Sequence, residues 1–422
     1  MIPANWVFLA DIVDSKKIDN RRQVQNKLKS FLKNFNDEHS NNITVPFEIT
    51  LGDEFLGVFN SPELILEMIM CLYTKLPEIY FRFGIGTGEI EKNKDGLLSG
   101  KAYNNASRAV RMAKNNNYNI NIFFDNLNNQ DNYMIVLDIL LHLMLNLINC
   151  YTYNQIYILH QLFKNKKQKE IASTLQVSQS SISQSVQNIN WRLLKKIYYK
   201  IKEMDFIKID NTKESIFSDS NEFLACIGCW DINNLKLDEV NSILEIINNK
   251  YSIVKSRFLI TVQKSEEEYE FQGLLDNCTD KLVDLLLFII IKMDKLKLGI
   301  GQGNIKTDFN EFAIGMDGSS FYRARNSLEK TEQSAEHVIF ELNDILYSEV
   351  LSDIFSLVDE FISGWTKKQS EIVLYRMEGL TQSEIADKYN IKRVTVTDHL
   401  ASANWSEYYY LYTKLLNLFS NI

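Results

Sequence analysis

The stretch "ITLGDEFLGVF", Ile49 to Phe59, is an apolar run interrupted by Gly52-Asp53-Glu54. A glycine followed by a polar residue suits a two-residue type II′ turn between antiparallel strands. The stretch therefore predicts a hairpin over Val45–Phe59 with Asp53 at its tip. On its N-terminal side, a β-branched strand at Val7–Ile12 leads into a helix over Arg21–Asn34. On its C-terminal side follow an apolar helix at Pro62–Leu76, a strand at Tyr80–Gly86 and a helix from Lys101, and "NINIFF" from Asn119 makes a further strand. The βαββαβ order predicts an α+β, ferredoxin-like unit, its antiparallel-rich sheet carrying helices on one face.

The motifs around the hairpin occur twice. "FLADIVDSKKI" from Phe8 is answered by "FLACIGCWDI" from Phe223, and "FRFGIGTGEI" from Phe81 by "LKLGIGQGNI" from Leu296. "SGKAYNNASRAVRMAK" from Ser99 is answered by "IGMDGSSFYRARNSLE" from Ile314, and "QKEIASTLQVSQSSISQSV" from Gln168 by "QSEIADKYNIKRVTVTDHL" from Gln382. Four blocks in one order predict a tandem duplication joined near residues 200–220. Each copy would end in helices alone, giving segments 1–125, 126–204, 205–342 and 343–422. Aligned in this way, Asp11 falls on Cys226, Asn104 on Ser319 and Arg108 on Arg323.

Composition narrows the class. A chain of 422 residues, 45% of them hydrophobic, exceeds one ordinary domain. Five scattered cysteines form no disulfide framework, which suits the cytoplasm. The N-terminal stretch has no basic segment before its short apolar run, so no signal peptide is expected. Polar residues or shortness disqualify the two most apolar segments, from Met134 and Leu282, as membrane spans. Charge is unevenly spread: residues 1–200 hold 23 Lys and Arg against 18 Asp and Glu, or +5, and the chain totals −8, leaving −13 for residues 201–422. Cys226 and Cys229 form a lone CxxC, read as buried thiols, and the five histidines show no metal-binding spacing.

The helical end of the first copy predicts a helix-turn-helix. Ile156, Leu159 and Leu162 recur at helical spacing, Ile171-Ala172 sits on a short helix, Val177-Ser178 makes the turn and N-cap, and Ile182 and Val186 anchor the next helix. Gln179, Ser180, Ser183, Gln184 and Gln187 then face outward with groups able to reach base edges, and Lys166, Lys167, Lys195 and neighbouring basic residues flank them. The second copy offers Lys392, Arg393, Thr395, Thr397 and Asp398 in the same place. Double-stranded DNA is the expected partner, read by two heads in one chain, an internal pseudo-dimer with a homodimer as the alternative.

Asp11 ends the first strand, and a βαββαβ sheet sets that end beside the hairpin tip. Asp11 and Asp53 are therefore expected a few ångströms apart, around Mg²⁺ or Mn²⁺. The backbone N–H groups of Ile12 and Val13 are expected to face a phosphate.

Together "FLADIVDS", "ITLGDEFLGVF", "FRFGIGTGEI" and "GKAYNNASR" resemble, over residues 5–115, the catalytic domain of class III nucleotide cyclases. The resemblance implies that Asp11 and Asp53 hold two metal ions on a nucleoside triphosphate, while Asn104 and Arg108 orient the ribose and stabilise the charged transition state. The family's purine-reading lysine falls at Ile49 and its acidic partner near Leu97, so the base would be read differently. Sites in that family form between two domains. Asp11 and Asp53 would face Arg323 within one chain, and a complete site would need copy one of two chains. The combination with a helix-turn-helix resembles the SatD family along nearly the whole chain. Two functions follow. The first is a DNA-binding regulator whose cyclase-like domains bind a nucleoside triphosphate or cyclic nucleotide, or mediate pairing. The second is an active two-metal nucleotide cyclase, a phosphorus–oxygen lyase, or a related nucleotidyltransferase.

Overall fold

The computed structural model describes residues 5–15, 20–50, 53–92, 98–116, 120–123, 132–203, 217, 221–263, 267–277, 280–293, 295–334 and 336–421. The expected joint near 200–220 and Leu97 lie largely or wholly outside these. The chain divides into two units, Met1–Lys208 and Ile209–Ile422, and each mixes a five-stranded sheet with helices.

Unit 1 runs β1 (Trp6–Ile12), α1 (Arg21–Glu38), β2 (Ile43–Ile49), β3 (Glu54–Phe59), α2 (Glu63–Lys75) and β4 (Phe81–Thr87). The short pair β5 (Glu91–Lys92) and β6 (Leu98–Ser99) follows, then α3 (Lys101–Asn116) and β7 (Ile120–Phe123). The sheet order is β2-β3-β1-β4-β7; β1 is antiparallel to β3 and β4, and β7 is parallel to β4. Helices α4 (Asn132–Cys150), α5 (Tyr153–Phe163), α6 (Gln168–Leu175), α7 (Gln179–Asn188) and α8 (Trp191–Glu203) complete it.

Every residue of β1 is buried. A strand without alternating polar positions must be covered on both sides, and it is. Val7, Leu9, Leu56 and Val58 lie under Ala102, Ala106 and Val110 of α3. On the opposite face the Phe8 ring meets Phe47, Phe59 and Phe83, which pack in turn on Phe35 of α1 and Tyr73 of α2. The expectation of helices on one face only is thereby corrected. The hairpin also differs from the two-residue turn. Thr50 N donates to Glu54 O at 2.9 Å, so three residues separate the paired ends, and two of them, Leu51 and Gly52, lie outside the described residues.

Unit 2 contains β8 (Phe223–Asp231), α9 (Leu237–Lys250), β9 (Val254–Gln263), β10 (Glu268–Asp276), α10 (Asp280–Lys292), β11 (Lys297–Gly303), α11 (Ser319–Thr331) and β12 (Val338–Glu341). Its sheet order, β9-β10-β8-β11-β12, has the same sense as that of unit 1. Helices α12 (Ile345–Ile362), α13 (Lys367–Met377), α14 (Gln382–Tyr389), α15 (Arg393–Ser402) and α16 (Trp405–Asn421) follow.

The two units share contacts residue by residue. A Cβ on Gly86 would stand 2.2 Å from Ala102 O and 2.3 Å from Ala106 N; on Gly301 it would stand at those same distances from Ser320 O and Ala324 N. Helix backbone thus rests directly on strand backbone, which only glycine permits. Asn36 exchanges two hydrogen bonds with the Phe47 backbone, as Asn248 does with Phe258.

These contacts correct the alignment of the motifs. Ala106 and Ala324 hold the same place, as do Leu9 and Ile227, which pair with Gly84 and Gly299. Asp11 therefore corresponds to Cys229 rather than Cys226. Asn104 corresponds to Tyr322, Asn105 to Arg323 and Arg108 to Asn326. The pairing that the apolar letters suggest is three residues out, because those letters recur in a different register from the glycines the helix sits on.

Among the described residues no helix is long and apolar enough to cross a membrane.

Candidate functional sites

The strand register brings the acids together. Asp11 pairs across β1 with Glu54 of β3 and with Arg82 of β4, and Ile12 N donates to Asp53 O at 3.2 Å. The Ser15 hydroxyl donates to the Asp53 carboxylate. Residues paired across strands point to one face, so Asp11, Glu54 and Arg82 share the face covered by α3, whose Lys114 adds positive charge nearby. Burial and then the Asp53 charge hold the Asp11 carboxyl above its usual range, against Lys114 and Arg82. Burial, then Asp11 and Asp53, raise Glu54. Three carboxylates thus crowd one rim. Glu54 was missed in sequence, although it adjoins Asp53 in "GDE".

Repulsion within this cluster has a measurable cost. In metal-free buffer Asp11→Asn raises the melting temperature of the chain, because it removes one charge from the crowded rim without changing shape. An ordinary structural aspartate replaced in the same way would lower it.

The expected roles of Ile12 and Val13 do not hold. Ile12 N is bound to Asp53 O, and Val13 N donates to Tyr80 O at 2.9 Å. Both N–H groups are consumed by the sheet and neither faces a phosphate.

Asn104 and Arg108 are exposed on α3. The neighbour of Asn104, Asn105, donates to Thr87 O at 3.0 Å, and Thr87 pairs with Trp6, at the opposite end of β1 from Asp11. Five strand residues separate those ends by about 17 Å. Unit 1 does not bring Asn104 to its own acids.

In unit 2 the corresponding rim is Cys229, Tyr269 and Glu270. Glu270 is 4% exposed and receives a 2.7 Å bond from Arg325. An internal cation closes that rim. Arg323 donates to Gln302 O and to Asn343 Oδ1, each at 2.6 Å, which ties α11 to the sheet. Cys226 and Cys229 are buried on β8, and burial lifts the Cys226 thiol to about 12.

The helical end of unit 1 places α6 and α7 around a tight turn. Gln176 adopts φ 54°, Val177 N returns to Ala172 O, and Ser178 caps α7 by accepting from Ser181 N. Ile182, 1% exposed, anchors α7. Gln179, Ser180 and Gln184 are exposed and Ser183 is half-buried. Lys166, Lys167, Arg192 and Lys195 are exposed around it, whereas Lys164 pairs with Glu38 at 3.4 Å. Unit 2 repeats the turn at Asn390, φ 50°, with Val396 as anchor. Lys392, Arg393 and Thr397 are exposed and Thr395 is half-buried; Thr397 donates to Gln382 Oε1 at 3.0 Å.

Two histidines set aside for their spacing prove to be neighbours of other ligand-type groups. His160 of α5 lies against Cys71 of α2, and His39 against Glu67 of α2. The first contact spans 89 residues, which no local pattern reveals.

No curated protein matches the sequence. A solved bacterial light-regulated adenylyl cyclase matches at 14% identity over 80% of this chain and 85% of that one, with a TM-score of 0.17. A score that low carries no argument. The family model described as "SatD family" matches residues 6–206 and 233–418. With nearly all of both units inside those two matched segments, the chain belongs to the SatD family.

Proposed function

We propose that the protein is a cytoplasmic, DNA-binding transcriptional regulator, formed by tandem duplication of a ferredoxin-like domain followed by a helix-turn-helix. Its four parts are residues 1–125, 126–204, 205–342 and 343–422. Support for the duplication comes from the shared strand order and the paired glycine and asparagine contacts. The observation that carries DNA binding is the turn-linked helix pair present in both units. The second helix is anchored by buried aliphatic side chains, Ile182 on α7 and Val396 with Leu400 on α15, and turns polar, hydrogen-bonding side chains outward. On α7 these are Gln179, Ser180, Ser183 and Gln184, with Lys166, Lys167 and Lys195 as the phosphate footprint. On α15 they are Lys392, Arg393, Thr395 and Thr397. A helix of this kind enters the major groove, where amide and hydroxyl groups read base edges. The double variant Lys166→Glu/Lys195→Glu is expected to weaken a mobility shift on duplex DNA by at least roughly tenfold at moderate salt. An unchanged shift would remove α7 from the interface.

The rim of unit 1 adds nucleotide binding. Its donor set of carboxylate oxygens fits Mg²⁺ or Mn²⁺. Asp11 and Asp53 would hold the ion, with Glu54 beside them. The ion, when bound, supplies Lewis-acid polarisation of a phosphoryl oxygen. Unit 2, closed by Arg325, serves pairing or scaffolding.

One observation favours a second reading, a nucleotide cyclase or nucleotidyltransferase: the acids stay crowded in unit 1, whereas unit 2 neutralises its own. In that case Asn104, with Arg108 one turn further along α3, reaches the acids of another copy of unit 1, because its own acids lie at the far end of the sheet. A homodimer is then required. Incubation with each of the four nucleoside triphosphates and Mn²⁺, followed by chromatography, separates the two. Retention without product supports the regulator, and a cyclic or oligomeric product supports the enzyme.

A further inference from the structure

The strongest group of ligand-type side chains outside the acidic rim lies on the opposite face of the unit 1 sheet, where α2 packs on α5. Cys71 Sγ and His160 Nε2 are 3.3 Å apart, and one Glu67 carboxylate oxygen lies within 4.8 Å of both. His39 Nε2 is 3.6 Å from Glu67 Oε1; it is buried and has no hydrogen-bond partner among the described residues. Cys71 and His160 are 6% and 4% exposed. Glu67 and Cys71, four apart on α2, project from one helix face.

We propose that Glu67, Cys71 and His160, whose ligand atoms lie within 4.8 Å of one another, form three ligands of a site for a transition-metal ion of zinc type, and that His39, 3.6 Å from Glu67 but outside that group, closes on the ion as the fourth. The site would pin the helical end of unit 1 to its sheet. This inference is independent of the function proposed above. Around a zinc ion, tetrahedral sulfur, nitrogen and oxygen ligands stand roughly 3.3–3.6 Å from one another. The Cys71–His160 and His39–Glu67 separations already have that size. One thiol, two imidazoles and one carboxylate suit a borderline-soft ion better than Mg²⁺ or Ca²⁺.

The surroundings of His160 orient it for this role. The Thr74 hydroxyl is 3.0 Å from Met70 O and 3.1 Å from Cys71 O, so its proton is committed to the helix backbone. Its oxygen therefore accepts from His160 Nδ1, 3.4 Å away. That fixes the tautomer with the lone pair on Nε2, facing Cys71, as a metal-binding histidine requires. An open cavity of about 700 Å³, lined among others by Phe35, Lys75, Cys71 and His160, gives an ion access. Binding would release the Cys71 proton to solvent, and thiolate plus carboxylate would balance the charge of the ion.

Unit 2 shows that the fold does not demand this set. Counted from the start of each helix, Glu67, Cys71 and His160 correspond to Asp284, Phe288 and Leu374, while His39 and Tyr251 correspond as the C-caps of α1 and α9. There the Tyr251 ring packs on Phe288 at 5.8 Å, and the Tyr412 hydroxyl donates to Asp284 at 2.7 Å. An aromatic and aliphatic contact does the packing that unit 1 gives to ligand-type groups.

The test uses the full chain loaded with Zn²⁺ or Co²⁺ and then dialysed. One metal per chain is expected, and the cobalt form should show a thiolate-to-metal charge-transfer band. Cys71→Ser should abolish the band, while Cys150→Ser, on an exposed thiol, should leave it intact. Thr74→Val, which keeps every ligand, should weaken binding roughly 10- to 100-fold. A wild-type chain that takes up no zinc, or shows no thiolate band with cobalt, overturns the proposal. So does a band that survives in Cys71→Ser. Should Cys71→Ser fail to fold, the Thr74→Val affinity decides, and an unchanged value overturns the site.

Discussion

Asp53→Asn is expected to abolish Mn²⁺-dependent retention of nucleoside triphosphate by the chain. Asp53 stands at the hairpin tip beside Asp11, with the Ser15 hydroxyl on its carboxylate. Removing one member of this half-buried charge set costs about 2–5 kcal/mol, a loss of roughly 30- to 4,000-fold in affinity. Asp276→Asn, on an exposed carboxylate of unit 2, serves as the control and should bind as the wild type does. If the wild type also turns nucleotide over, the geometry makes a sharper prediction. Asp53→Asn and Arg108→Ala should each be inactive alone, yet a mixture should regain activity. In the mixed dimer the acids of one chain meet the Asn104 and Arg108 of the other. A mixture as inactive as its components would show that no site forms between chains.

The largest stability effect is expected at the glycines beneath α3 and α11. Gly86→Ala places a methyl group 2.2 Å from Ala102 O and 2.3 Å from Ala106 N, and Gly301→Ala does the same against Ser320 O and Ala324 N. The obstacles are helix backbone rather than a pliable side chain, so the helix must lift off the sheet. Overpacking of this severity costs about 3 kcal/mol or more, which lowers the melting temperature of a unit this size by roughly 6–12 °C. Gly364→Ala, with nothing within 4 Å of the added carbon, should be neutral or slightly stabilising. Similar melting of all three variants would contradict the close helix–strand contact.

Local pattern exposed much of this architecture. The β-branched run at Val7–Ile12, the hairpin, the helix from Lys101 and the turn at Val177-Ser178 were legible because each is set by residues adjacent in sequence. So was the meeting of Asp11 with the hairpin, since strand order alone dictates it. What local pattern hid depends on pairing across the fold. Nothing in the local sequence marks the N–H groups of Ile12 and Val13 as bonded, because their acceptors, Asp53 O and Tyr80 O, lie far along the chain. Arg323 shares its letter with Arg108, but the helix–glycine contacts put it level with Asn105. Helices on both faces followed from β1 having no exposed side, which was visible in "WVFLA" but outweighed by the motif order. The approach of Cys71 to His160 needs α2 and α5 to be packed together, and no spacing rule spans that distance.

DNA binding by the paired helices carries the proposed function, and a salt titration of that binding puts it at risk. Fluorescence anisotropy of the full chain with labelled duplex DNA should show log K falling linearly with log salt concentration. If Lys166 and Lys195 each touch a phosphate, Lys166→Glu/Lys195→Glu should make that slope shallower by about 2. Absence of binding at low salt, or a slope identical in wild type and variant, would contradict the account.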